Sequence, residues 1–84
     1  MTRLMFFGRL RDVAGYAERE LDLPHDVANV ADLRAFLGAS DPDLGGAISA
    51  RGVRVAINQR FCVGDLDPVH DAREIAFMSP LSGG

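Results

Sequence analysis

The chain has 84 residues, 48% of them hydrophobic and 25% charged, with a formal net charge of −3. A domain of this length buries only about 60% of the surface its unfolded chain exposes, which excludes a deep, fully enclosed catalytic pocket made from this chain alone. All nine basic residues are arginine. Mechanisms that need a Schiff-base or P-loop lysine are therefore excluded. The acidic balance argues against nucleic-acid binding and suits a basic protein partner.

Cys62 is the single cysteine, so neither a disulfide framework nor a zinc cluster is expected and a reducing compartment follows. The apolar stretch from Met1 to Phe7 is too short for a signal-peptide core and runs into Arg9, Arg11 and Asp12. No run approaches the length of a membrane span. A cytoplasmic protein with no membrane contact is expected.

Leu4, Met5, Phe6 and Phe7, ended by Gly8, read as a first strand buried on at least one face. A turn region containing Gly15, long for a hairpin, follows, and Glu18 to Leu23, closed by Pro24, forms a second strand that makes a hairpin with the first. From Asn29 the period changes. Val30, Leu33, Phe36 and Leu37 recur at helical spacing, with Asn29 as N-cap, Asp32 in the first turn and Gly38 where a left-handed C-terminal cap would fall. Ser40-Asp41-Pro42 resembles a second helix start, which Gly45-Gly46 limits to a turn or two.

Val53, Val55 and Ile57 alternate with Arg54, Ala56 and Asn58 as a half-buried strand, and Asn58-Gln59 turns the chain into a short strand from Phe61 to Val63. Glu74 to Met78 alternates again, followed by the tail Ser79-Pro80-Leu81-Ser82-Gly83-Gly84. The order strand, strand, helix, strand, short strand, strand predicts a single α+β domain over residues 1–84. Its helix covers one face of a mixed sheet, and the first and last strands lie parallel at the centre, as in a β-grasp roll. With Leu4, Phe6, Val55, Ile57, Ile75 and Phe77 facing the helix, Met5, Phe7, Ala56, Ala76 and Met78 fall on the open face. None of these five is charged, which marks a candidate docking surface.

The Gly-Gly end follows a strand through a proline-containing segment that cannot extend the sheet. Six residues beyond Met78 reach about 20 Å when extended, enough to enter another protein's active site. Glycines do not obstruct a narrow channel, and the reacting group would be the α-carboxylate of Gly84. A carboxylate is a poor electrophile and must be activated, for example as an acyl adenylate. The chain contains no phosphate-binding Gly-x-x-x-x-Gly-Lys and no dinucleotide fingerprint, so the ATP would be bound by another enzyme.

Phe6-Phe7-Gly8-x-x-Arg11-Asp12-x-x-Gly15, Val55-Ala56-Ile57-Asn58-Gln59 and the terminal Glu74-Ile75-Ala76-Phe77-Met78-Ser79-Pro80-Leu81-Ser82-Gly83-Gly84 resemble the molybdopterin synthase small subunits, over almost the whole chain. The resemblance implies a ubiquitin-like β-grasp sulfur carrier that binds no cofactor or metal itself. An adenylating and sulfurating enzyme would use ATP to convert the Gly84 carboxyl to a thiocarboxylate. Pro80, Leu81, Ser82 and Gly83 would then enter the active site of the large subunit, in a heterotetramer. There the sulfur would pass to cyclic pyranopterin monophosphate, two transfers building the molybdopterin dithiolene. Phe7, Phe61 and Met78 would form the docking face. The chain departs from the family's habit at Ser79-Pro80, where a Pro-Pro doublet is common, at Met78, where an aromatic is common, and before the last strand, where Asp71-Ala72-Arg73-Glu74 replaces a glycine turn.

Three other readings compete. The same chemistry could serve thiamine or cysteine synthesis, the chain could be a ubiquitin-like modifier joined through Gly84 to a target lysine, or it could be an interaction module with an inert tail. Cys62, between Phe61 and Val63, reads as a small strand residue rather than a sulfur relay. His25 and His70 read as solvated, and Arg11 and Asp12 as fixing the turn after the first strand. Asp65, Asp67 and Asp71 lack EF-hand spacing.

Overall fold

The computed structural model describes residues 1–80. Five strands, β1 (Thr2–Phe7), β2 (Glu18–Leu21), β3 (Arg54–Ile57), β4 (Arg60–Phe61) and β5 (Glu74–Met78), form one sheet in the order β2-β1-β5-β3-β4. The central pair, β1 and β5, is parallel and the other pairs are antiparallel. Helices α1 (Arg9–Ala14), α2 (Val30–Ser40) and α3 (Pro42–Ile48) complete the fold, which is a β-grasp roll. Leu4, Phe6, Ile75 and Phe77 are sealed between sheet and helices with Val30, Leu33 and Ile48. Phe6 and Phe77 are register partners whose rings stack at 5.6 Å, and Tyr16 meets Phe6 edge-on at the same distance. The parallel pair is thus held by aromatic packing as well as by its ladder. Thr2, buried at the start of β1, satisfies its hydroxyl by donating to the Ala72 carbonyl at 2.9 Å.

The connection after β1 differs from the expected turn. It is the short helix α1, which starts at Gly8, ends on left-handed Gly15 and buries Leu10 in the core. Six residues are too few to display helical periodicity, so only the flanking glycines marked it. Arg11 fixes this region through its carbonyl, which accepts from the Gly15 amide at 2.9 Å, rather than through its guanidinium. Arg11 and Asp12 are exposed on α1, as are His25 and His70 elsewhere.

Helix α2 is capped as its sequence predicts. The Asn29 side chain accepts from the Asp32 amide at 2.9 Å, and the Asp32 carboxylate accepts from the Ala28 amide at 3.0 Å. The far end does not stop at Gly38. Leu37 is followed by a further helical stretch to Ser40, and Asp41 closes α2 and opens α3 by accepting from the Leu44 amide at 3.2 Å. Gly38 serves packing instead. A Cβ on Gly45 would lie 2.5 Å from the Gly38 Cα, so the two glycines let α2 and α3 touch backbone to backbone. Gly45→Ala is expected to destabilise the fold by about 1–3 kcal/mol, because the steric cost exceeds the gain in helix propensity. Gly46, whose Cβ position is open, provides the contrast. Gly46→Ala is expected to stabilise by about 0.5–1 kcal/mol. Chemical denaturation of the two variants checks both signs.

Asn58 and Gln59, both at positive φ, make the tight turn from β3 to β4, and the Asn58 Oδ1 accepts from the amides of Arg73 and Glu74 at 2.8 and 3.1 Å. Strand β4 is shorter than the expected Phe61 to Val63. Beyond Phe61 only the Cys62 amide continues toward β3, donating to Val55 O at 2.8 Å, and Val63 is fully exposed. The following loop turns inward. The carbonyls of Asp65 and Asp67 accept from the first amides of α2, at Ala31 and Val30. These aspartates therefore act through their backbone as partners for a helix start. Among the described residues no cluster of three potential metal ligands occurs, and no helix is long and apolar enough to cross a membrane.

Candidate functional site: the open sheet face and the tail exit

The face of the sheet away from the helices is built by register. Met5, Ala76, Ala56 and Phe61 lie in one cross-strand row, and Phe7, Met78 and Arg54 in the next. The expected docking residues Phe7, Phe61 and Met78 therefore share one face, with Phe7 at 45% and Phe61 at 52% exposure. Met78 is half-buried between its neighbours rather than fully exposed. Ala56 and Ala76 are on this face yet buried, because the larger side chains of the rows shield them. Together with Gly8, Gly52, Ser79 and Pro80, these three residues line an open groove of about 750 Å³.

At the end of this groove the chain leaves β5. Ser79, one of the departures from the family's habit, is tied to the end of β1. Its Oγ accepts from the Arg9 amide at 3.3 Å and lies 3.5 Å from the Phe7 carbonyl oxygen as donor. A Cβ on Gly8 would collide with this hydroxyl. On the other side a Cβ on Gly52 would come within 2.8 Å of the Pro80 ring. Both glycines have positive φ, 64° and 90°, so any other residue would suffer backbone strain as well as collision. Two glycines more than forty positions apart thus clamp Ser79 and Pro80, where the chain leaves β5. Neither was singled out for this role from sequence, since the signal appears only when β1 and β5 are placed side by side. Leu81, Ser82, Gly83 and Gly84 lie outside the described residues.

Cys62 has the wrong chemistry for a relay. Partial burial, then the hydrogen bond and charge of Asp67, push its thiol from 9.0 up to about 11, against a smaller opposing effect from Arg34. Only the thiolate is nucleophilic. At pH 8 alkylation by iodoacetamide should run about 100-fold slower than for an unshifted thiol, and rise as pH approaches 11. Because folding favours the protonated form, the same shift makes stability fall as pH climbs from 9 toward 11. Alkylation at the rate of a free cysteine at pH 8 would contradict this.

A five-stranded roll with a parallel central pair, an uncovered apolar face and a tail leaving the central strand define a ubiquitin-like β-grasp protein. The ThiS family model matches residues 4–84, and the chain belongs to that family. It is 32% identical over 83 residues to the molybdopterin synthase sulfur carrier subunit of Chlamydomonas reinhardtii, covering 98% of this chain and 96% of that one. Among solved structures, SAMP1 of Haloferax volcanii superposes with a TM-score of 0.78 at 24% identity, covering 99% of this chain and 98% of that chain. The small archaeal modifier protein 1 of Methanosarcina acetivorans gives 0.77 at 23%, covering 99% and 95%. At these identities the two structures establish the shared fold.

Proposed function

We propose that this chain is the sulfur-carrier subunit of a molybdopterin synthase. The near-full-length kinship with the algal sulfur carrier subunit carries the reading, and the clamped tail exit beside an apolar groove supports it. An activating enzyme transfers AMP from ATP to the Gly84 carboxylate, releasing pyrophosphate, and a sulfur donor then displaces AMP to leave a thiocarboxylate. Docking through Phe7, Phe61 and Met78 places Pro80, Leu81, Ser82 and Gly83 in the channel of the large subunit. The sulfur then passes from Gly84 to cyclic pyranopterin monophosphate. Two such transfers make the dithiolene, and a heterotetramer of two carriers and two large subunits is the expected assembly. The protein acts in the cytoplasm, where a lone cysteine stays reduced.

Separating docking from chemistry has a physical reason. Ordering a tail costs about 1–2 kcal/mol per residue, so a free Gly-Gly peptide would be a poor donor. A folded domain offsets that cost with its docking face and holds the sulfur at high effective concentration. The test is reconstitution: thiocarboxylated chain, large subunit from the same organism and cyclic pyranopterin monophosphate should yield molybdopterin. Transfer to a thiamine or cysteine precursor instead would reassign the acceptor. Stable amides to target lysines with no sulfur transfer would make the chain a modifier.

A further inference from the structure

The chain as a whole is acidic, yet its charge is segregated around the tail exit. The groove on the sheet face and the smaller cavity beside it, between α1 and α3, both border Ser79 and Pro80. Between them they are lined by Arg9, Arg51 and Arg54 and, among the described residues, by no aspartate or glutamate. At the other end of the same sheet face the pattern reverses. Arg3 is held by Glu18 at 3.5 Å and Glu20 at 4.0 Å.

Arg54 differs from Arg3 in what holds it. Its guanidinium carbon lies 3.8 Å over the centre of the Phe61 ring, and it has no carboxylate partner among the described residues. Across the strand its register partner is Met78. A cation fixed on an aromatic face keeps its edge donors pointing outward and ready for a planar bidentate acceptor. Fixing it in advance reduces the ordering cost when that acceptor arrives.

We propose that Arg54 is a charge reader for the docked protein: it receives an Asp or Glu carboxylate at the rim of the channel that the tail enters. The inference rests on the sulfur-carrier reading and names the chemistry of the partner surface, which is locally acidic although the net charge of this chain suggests a basic partner. The distance argument favours a protein carboxylate over the phosphate of the substrate. Four residues beyond Pro80 span about 14 Å when extended, several times a hydrogen-bond length of about 3 Å, so a tail threaded into a channel would carry Gly84 out of Arg54's direct reach. Arg54 therefore meets the mouth of the channel while the reaction occurs at its far end.

The test uses the large subunit from the same organism and titration calorimetry across a range of salt. Wild-type chain must bind, and failure to bind would remove the sulfur-carrier reading together with this inference. Given binding, R54M, which keeps an apolar stem over Phe61, is expected to lose about 10–100-fold in affinity at low salt and to flatten the salt dependence. R54K supplies a second readout, since a chain with no lysine gains its one side-chain amine. Carbodiimide should couple that amine to an Asp or Glu of the large subunit, located by peptide mass mapping. Wild-type affinity and salt slope in R54M, or coupling of the R54K amine solely to carboxylates of its own chain, would overturn the proposal.

Discussion

A chain lacking Gly84 is expected to fold and dock as the full chain does, yet to support molybdopterin formation at less than about one hundredth of the full rate. Among the described residues the core ends at Phe77 and the clamp at Pro80, and the deletion leaves both intact. What it removes is placement. The reacting carboxyl retreats by about 3.5 Å, whereas a misplacement of about 1 Å already costs on the order of 100-fold in rate. Assay of the truncated carrier in the reconstituted system, with circular dichroism on the same sample, checks both halves. Product formation near the normal rate would show that Gly84 is not the reacting residue.

The second large effect is expected on the sheet face. Phe7→Asp should raise the dissociation constant for the large subunit by about 30-fold or more, the loss of one aromatic anchor of about 2 kcal/mol. Phe7 is a better probe than Met78 because it is nearly half exposed and ends its strand. Met78 is half-buried in β5, between β1 and β3, so an aspartate there would cost stability along with docking. The readout is calorimetric affinity together with thermal melting. Unchanged affinity, or a collapsed melting transition, would count against Phe7 as a docking anchor.

Much of this architecture was legible because the strands carry period-two patterns long enough to set their faces. Leu4 and Phe6 alternate against Met5 and Phe7, and Ile75 and Phe77 against Ala76 and Met78, so the apolar open face followed from register alone. Asn29 and Asp32 announced the start of α2 by a capping pair within one turn. The errors lie where a glycine has more than one use. Gly38 looked like a helix stop and is a contact point with Gly45, a relation fixed only by how α3 folds back. Gly8 looked like a strand end and is half of the tail clamp, completed by Ser79 about seventy residues later and flanked by Gly52. Arg54 read as the polar partner in an alternating strand, and its seat on Phe61 appears only after the Asn58-Gln59 turn brings β4 alongside.

The site divides in the same way. The chemistry attributed to Gly84 came from the tail sequence and from family resemblance, because a terminal carboxylate leaves no pattern in periodicity or burial. The structure adds the means of presentation. Ser79, in place of the proline common in the family, fastens the exit through hydrogen bonds that a proline side chain cannot make. This departure therefore fastens the chain at Ser79, where it leaves β5, rather than loosening it there.

Intact mass spectrometry of the chain after incubation with its activating enzyme, ATP and a sulfur source tests the central claim most directly. Replacement of one oxygen by sulfur, mapped to the C-terminal peptide and absent without ATP, is the predicted result. An unaltered mass, with an enzyme shown to be active by its release of pyrophosphate in the presence of this chain, would contradict a sulfur-carrying Gly84.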